Sequence, residues 1–417
     1  MSTLRVRGAC PRLSAPMETG DGLLARIVPA GPMTIDAFAG LCAAAETHGN
    51  GLMEVSARGG LQVRGLTPVS APLFANTAAS LAIDVCEDPS VIGSPLPNDP
   101  TAQIDAHVLA RDIRKMSAVR GLVLAPKVSV AVDGGGRLHL DALTADIRLR
   151  AVPSTDGPLL HVSLGGDASS ATPLGLVTVE NAAALVSDLL GVIAAQEADA
   201  RASDVLRQGS LETFRAVAGD RVTPAAPLAS RPQAETIGLH RLTSGLCAMG
   251  VALPFGQAHA LDLIALVRMA RANGAAWIAT APARTLLLGP ITEMAAFALA
   301  TAADSLGFIV DARDSRRRVA ACPGAPACAS GLIAARALAA EIANASAPSE
   351  DGIAVHVSGC AKGCAHPAAA PLTIVGTEQG CGLIHGGPAR SRPDTYIDES
   401  TVVAEVVRLT SPETTDA

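Results

Sequence analysis

Four cysteines near the C-terminus form two local pairs, Cys322-Pro-Gly-Ala-Pro-Ala-Cys328 and Cys360-Ala-Lys-Gly-Cys364. Thiolates are soft ligands, and four of them from two local pairs match the donor set of a cubane iron-sulfur cluster. The first pair lies on a Pro/Gly-rich loop, with Cys328 leading into a helix expected over 331–345. The second follows a strand in which Ile353, Val355 and Val357 alternate. Cys360 and Cys364 are expected to share one helical face, and Gly359 and Gly363 to let the backbone wrap closely around a bulky group. Structural zinc and unrelated buried thiols are the competing readings. Zinc pairs more often enclose two to four residues, so the five between Cys322 and Cys328 are wide for a zinc knuckle. Cys42, Cys86, Cys247 and Cys381 have no paired neighbour and read as buried thiols.

The elements that must position this quartet show an internal repeat. Residues 23–66 and roughly 247–291 each start with a short apolar strand and a Pro-x-Gly turn (Pro29 to Gly31; Pro254 to Gly256). A helical stretch follows (Ile35 to Thr47; Ala260 to Ala272), then an Asn-Gly turn and two short strands. Between the copies, strands are expected over 122–132 and 159–164 and a helix over 181–196, with 197–235 as a connecting arm. A mixed region, 315–408, follows the second copy. The order is small unit then mixed domain, twice, and a site between the halves is expected because domain interfaces favour pockets. Gly134-Gly-Gly136 reads as a hairpin turn, since no helix with Lys or Ser/Thr follows in phosphate-loop register.

Length and composition bound the function. The 417 residues leave room for two or three domains, and 49% hydrophobic with 17% charged residues exclude a long coiled coil and intrinsic disorder. Mean hydropathy is +0.34, yet charge, proline or glycine interrupts every long apolar stretch, so no transmembrane helix is expected. A net charge of −7 and only 2% aromatics argue against a nucleic-acid partner. The N-terminal Met-Ser-Thr-Leu-Arg-Val-Arg-Gly lacks the apolar core of a secretion signal, and a cytoplasmic location is expected. Nine cysteines in that reducing setting point to metal or reactive thiols before disulfides.

The quartet's spacing and position resemble the cluster motif of the nitrite and sulfite reductase family, and the paired small units resemble that family's ferredoxin-like half-domains. The likeness spans nearly the whole chain. It implies an α+β, pseudo-twofold duplicated fold with ferredoxin-like half-domains at 14–70 and 238–295. Mixed α/β substrate and cluster domains would occupy 71–200 and 296–410, joined through an arm at 201–237. Cys322, Cys328, Cys360 and Cys364 would hold a 4Fe-4S cluster. Arg7-Gly-Ala-Cys-Pro11, Pro16-Met-Glu-Thr-Gly-Asp-Gly-Leu-Leu24 and Ser358-Gly-Cys-Ala-Lys-Gly-Cys-Ala-His-Pro367 are similar to the branch of the family that serves aerobic cobalamin biosynthesis. Reductases typically carry Pro-Asn where Ala361-Lys362 stands. That branch implies an oxygen-dependent monooxygenase, which hydroxylates precorrin-3A at C20 and closes a γ-lactone from the ring A acetate. Its partners would be precorrin-3A, dioxygen and an electron donor, with a mononuclear non-haem iron in place of sirohaem. A sirohaem-dependent sulfite or nitrite reductase is the alternative, and a cluster-bearing electron carrier is a third reading.

An acidic tetrapyrrole needs cations, and arginine meets carboxylates bidentately. Of 32 basic residues only Lys115, Lys127 and Lys362 are lysines. The expected substrate-binding residues are Arg26, Arg58, Gln62, Arg64 and Lys127, of which Arg58 and Gln62 match the family's Arg-Gln-x-x-Gln segment. For a single arginine without that match, a solvated strand-end cation is the simpler reading. Ser129 stands where reductases usually place a second lysine, and a further active-site arginine is absent from the segment starting at Glu87, departures that weaken the reductase reading. His366, two residues after Cys364, is placed to hydrogen-bond cluster or substrate, or to cap the loop. No ligand-spaced histidine pair stands out, and no mononuclear-iron ligands or catalytic residues are assigned.

Overall fold

The structure, a computed structural model, describes residues 11–86, 89–197, 199–209, 211–349 and 352–410. Residues 7–10 of the N-terminal motif and Glu87 lie outside them. The first half runs β1 (Met17–Thr19), β2 (Gly22–Ile27), β3 (Met33–Thr34), α1 (Ile35–His48), β4 (Leu52–Val55), β5 (Leu61–Leu66) and α2 (Ser70–Ser80). It continues through β6 (Ser90–Gly93), α3 (Ala106–Val119), β7 (Ser129–Asp133), β8 (Ala145–Val152), β9 (Leu159–Gly166), β10 (Thr172–Thr178) and α4 (Val179–Ala194). Two short helices, α5 (Ala202–Arg207) and α6 (Leu211–Ala218), precede an extended arm. The second half repeats the order: β11 (Gly238–Arg241), β12 (Cys247–Ala252), β13 (Gln257–His259), α7 (Ala260–Ala272), β14 (Trp277–Ala281), β15 (Thr285–Ile291) and α8 (Glu293–Ser305). Then come β16 (Val319–Ala321), α9 (Ala335–Asn344), β17 (Val355–Ser358), β18 (Ala370–Thr377), β19 (Gly380–Gly387), β20 (Thr395–Ile397) and α10 (Val402–Thr410).

The two small sheets are completed by exchange. Their orders are β1-β2-β5-β4-β13 and β11-β12-β15-β14-β3, so each half lends the strand before its helix to the edge of the other's sheet. Alternation along these strands sends Ile27, Met53 and Val63 to one face, where Phe38 and Leu41 of α1 meet Leu266 and Val267 of α7 in one shared core. Burying each such side chain stabilises by roughly 1.5–3 kcal/mol, so the halves depend on each other for their core. Thr34 and Thr292 cap α1 and α8 by accepting from the backbone N–H three residues on.

The two large sheets, β10-β9-β8-β7-β6 and β16-β17-β18-β19-β20, share one topology, with the first three strands of each repeat parallel and the rest antiparallel. Val91 opposite Val130 corresponds to Val319 opposite Val355. Beyond these strands Gly134 N donates to Ser94 Oγ (3.0 Å), just as Gly359 N donates to Cys322 Sγ (3.1 Å).

Several local expectations are corrected. Residues 122–128 form a loop, with Val123 exposed, and the strand begins only at Ser129. The helix expected from 331 begins at Ala335; Gly331 N and Leu332 N donate to Cys328 O and Gly359 O (both 2.8 Å) in the loop before it. Cys360 to Cys364 lie in turns and share no helical face. Gly134–Gly136 opens the connection between parallel β7 and β8, where a hairpin is impossible.

Candidate metal and substrate site

The cysteine loops are locked together by backbone contacts. Cys322 N donates to Val357 O (3.3 Å), Cys328 N to Gly324 O (2.8 Å) and Leu332 N to Gly359 O (2.8 Å). A Cβ on Gly359 would lie 2.9 Å from Gly324 Cα and 3.2 Å from Gly331 Cα, so three glycines let three strands of backbone meet. Gly20 seats the first loop from outside, since a Cβ there would lie 2.5 Å from Pro326 O. Cys322 is buried, Cys328 and Cys360 are half-buried, and Cys364 is exposed. The four expected cysteines are thus brought together: burial raises the Cys364 thiol above its ordinary value, and Cys322, Cys360 and Cys328 raise it further, against the pull of Lys362. Lys362 Nζ also bonds Ser330 Oγ (2.8 Å), tying one cysteine loop to the other.

Four thiolates on two facing loops are soft donors of the kind a four-iron cluster takes. Among the described residues, the one trio of His, Cys, Asp or Glu with ligand atoms all within 4.8 Å is Asp133, His139 and Asp141. It is held by Arg231 of the arm, which pairs with both Asp133 and Asp141.

The face of the first small sheet opposite its core is charged. Arg26, Gln62 and Glu54 stand side by side on β2, β5 and β4. With its amide oriented to satisfy both neighbours, Gln62 donates to Glu54 Oε2 (2.9 Å) and accepts from Arg26 Nη2 (2.8 Å). Arg64, on the same face, is only 2% exposed. It grips Asp21 with Nε and Nη2 (both 2.8 Å), lies 3.7 Å from Glu54 and donates to Ala327 O inside the first cysteine loop (2.6 Å). Burial opposes charge at both groups, but their mutual hydrogen bonds win, raising Arg64 and lowering Asp21 from their ordinary values. Arg64, expected to grip substrate, is thus buried with Nε and Nη2 bonded within the protein.

Arg58 and Lys127 lie toward the other large sheet. Exposed Arg58 donates to Thr144 O (2.8 Å) and Ser129 Oγ (3.3 Å) and borders a small cleft with Gly31, Gly93, His107 and Thr280. Lys127 is exposed on the loop two residues before Ser129. Sequence reasoning missed three residues. Arg284 lies in the turn between β14 and β15, the counterpart of the Arg58 turn, and Ala283 N of one turn donates to Ala57 O of the other (3.1 Å). Arg336 of α9 donates to Glu54 Oε1 (2.9 Å). His356 of β17 is 0% exposed, both its ring nitrogens lack partners among the described residues, and its ring meets that of His366 edge-on at 5.7 Å. Burial foremost, then His366 and Arg284, push its pKa down to about 4, so it is neutral at physiological pH. The internal repeat pointed to Arg284 once Arg58 was chosen; nothing in the sequence marked Arg336 or His356.

Comparison with known proteins places this architecture. Residues 15–79 match the family model of the nitrite/sulfite reductase ferredoxin-like half domain. The solved structure of the Mycobacterium tuberculosis NirA protein superimposes with a TM-score of 0.74, covering 93% of this chain and 80% of that one at 19% identity. The fold is the duplicated nitrite/sulfite reductase type. A curated Sinorhizobium protein, precorrin-3B synthase, is 36% identical over 409 residues, 97% of this chain and 88% of that protein. The chain is an oxidoreductase of the precorrin-3B synthase family.

Proposed function

We propose that the protein is a precorrin-3B synthase in aerobic cobalamin biosynthesis, an oxygen-dependent monooxygenase acting on precorrin-3A. One oxygen atom enters the substrate as the C20 hydroxyl while the ring A acetate closes a γ-lactone, and the other leaves as water, with two electrons from an external donor. The observation carrying this reading is the 36% identity over nearly the whole chain, together with four converging cysteines beside an arginine-bearing sheet face.

Cys322, Cys328, Cys360 and Cys364 would hold a 4Fe-4S cluster, which supplies one-electron transfer when bound. The glycine contacts fix the two loops, and Lys362 places a positive charge beside Cys364. Arg26 with Gln62, Arg58 and Lys127 would meet the carboxylates around the macrocycle. Arg64 serves them indirectly, holding Ala327 and so the first cysteine loop. Neutral His356, desolvated under the second cysteine loop, keeps an uncharged wall there. A mononuclear non-haem iron remains part of the reading without assigned ligands. No helix among the described residues is long and apolar enough to cross a membrane.

The test is the visible spectrum of protein purified without oxygen, with and without Cys360→Ser and Cys364→Ser. A broad sulfur-to-iron band, lost in the double variant, is expected. Sharp sirohaem bands would move the assignment to a sulfite or nitrite reductase, and unchanged iron and sulfide in the double variant would overturn the ligand set.

A further inference from the structure

Arg284 is a poor fit to its surroundings as they stand. Its backbone is left-handed (φ 63°), as is that of Ala283 before it (φ 58°), a conformation that costs side-chain-bearing residues about 1 kcal/mol or more. Its side chain leaves the second small sheet and passes Gly256, where a Cβ would lie 2.7 Å from Arg284 Cδ. It ends beside Ala365, next to Cys364, donating to that carbonyl at 3.3 Å. Among the described residues this is its one hydrogen bond, and no carboxylate pairs with it. Its nearest charges work against one another: Arg336 repels it, and Glu54 attracts it. Glu54 is already engaged by Arg336 Nη2, Gln62 and Arg64, and Arg336 Nε is itself buried without a partner among the described residues. Three guanidinium groups thus share Glu54 and Asp21, and Asp21 is taken up by Arg64. A strained, partly buried cation with one long hydrogen bond, beside a second cation with a spare donor, lacks an anion.

We propose that Arg284, supported by Arg336, binds a peripheral carboxylate of the tetrapyrrole and so fixes the macrocycle's edge against the Cys360–Cys364 loop. This rests on the tetrapyrrole reading above and extends it to residues on the opposite turn from Arg58. A planar guanidinium takes one carboxylate through two parallel N–H donors, which sets orientation as well as affinity.

Arg284→Gly separates binding from structure, because glycine suits a left-handed backbone and removes an unpaired cation. Precorrin-3A binding is titrated without oxygen by visible absorbance, alongside iron and sulfide content and thermal midpoint. The expected result is an affinity at least about tenfold weaker, with cluster content unchanged and the midpoint equal or higher; Arg284→Lys should recover part of the affinity. Unchanged affinity in Arg284→Gly overturns the inference. So does weaker affinity that arrives with cluster loss and a lower midpoint, since Arg284 would then be structural. If the unaltered protein fails to bind precorrin-3A, the functional reading falls and this inference with it.

Discussion

Arg58, Arg64 and Arg284 are chemically alike, and the fold gives each a different partner. Arg58 reaches the first large sheet through Thr144 and Ser129, Arg64 is sealed between Asp21 and the first cysteine loop, and Arg284 reaches the residue after Cys364. Arg64→Ala would leave Asp21 and Glu54 facing a buried gap, so stability should fall by about 3–5 kcal/mol and iron should leak from the protein. Urea denaturation and iron assay check this; a stable, fully loaded variant with weaker substrate binding would restore Arg64 to the substrate. Two groups set an acid limit. Asp21 is lowered below its ordinary 3.8, so its contribution holds above that value and is lost as pH falls through the lower folded one. His356 titrates at about 4 folded against 6.5 unfolded, so the unfolded chain takes up a proton first. Stability should therefore drop by about 3 kcal/mol as pH falls from 6.5 to 4, and His356→Phe should flatten that stretch of the urea-midpoint profile. The cysteines were legible in sequence because each pair is local. Arg336 was not, because its meaning comes from Glu54, 282 residues away.

At the scale of elements, the cysteine loops are shaped by what their backbone must touch. Gly20 lies outside the cluster motif, yet a methyl group there meets Pro326 O at 2.5 Å and Ala329 N at 2.7 Å, backbone atoms that cannot turn aside. Gly20→Ala should therefore lower iron and sulfide per chain. Gly121→Ala, at φ 59° with open space around it, should cost only about 1 kcal/mol and leave the metal untouched. Equal iron content in the two variants would contradict the seating of the loop on Gly20. Periodicity located helices such as α1 and α7 well, since their apolar faces repeat. It mistook 331–334 for helix and 360–364 for a helical face, where the chain instead turns; Leu332 N donates to Gly359 O, a long-range contact with no local signature.

The whole molecule is a duplication whose two copies have diverged in polarity. In the first small sheet the open face carries Arg26, Glu54, Gln62 and Arg64, while in the second it carries Ala248, Ala279, Ala281 and Leu287, packed on Leu96 and Leu138. Where Cys322 accepts from Gly359, Ser94 accepts from Gly134, and the arm fills this side with Arg231 on Asp133 and Asp141. The retained site thus joins the first copy's charged sheet face to the second copy's cysteine loops, while the second copy's small sheet is closed against Leu96 and Leu138 of the first. The repeat was visible in the sequence; the exchange of β3 and β13 was not, because two- and three-residue strands carry almost no pattern. That exchange predicts that residues 11–237 or 238–410 expressed alone lack a cooperative unfolding transition by circular dichroism, and a sharp transition in either would contradict it. The central claim is met most directly by incubating the anaerobically purified protein with precorrin-3A, an electron donor and isotopically heavy dioxygen, followed by mass spectrometry. The account predicts one heavy oxygen atom in a hydroxylated lactone, absent when Cys360 and Cys364 are serine; unaltered precorrin-3A with a fully loaded cluster would contradict it.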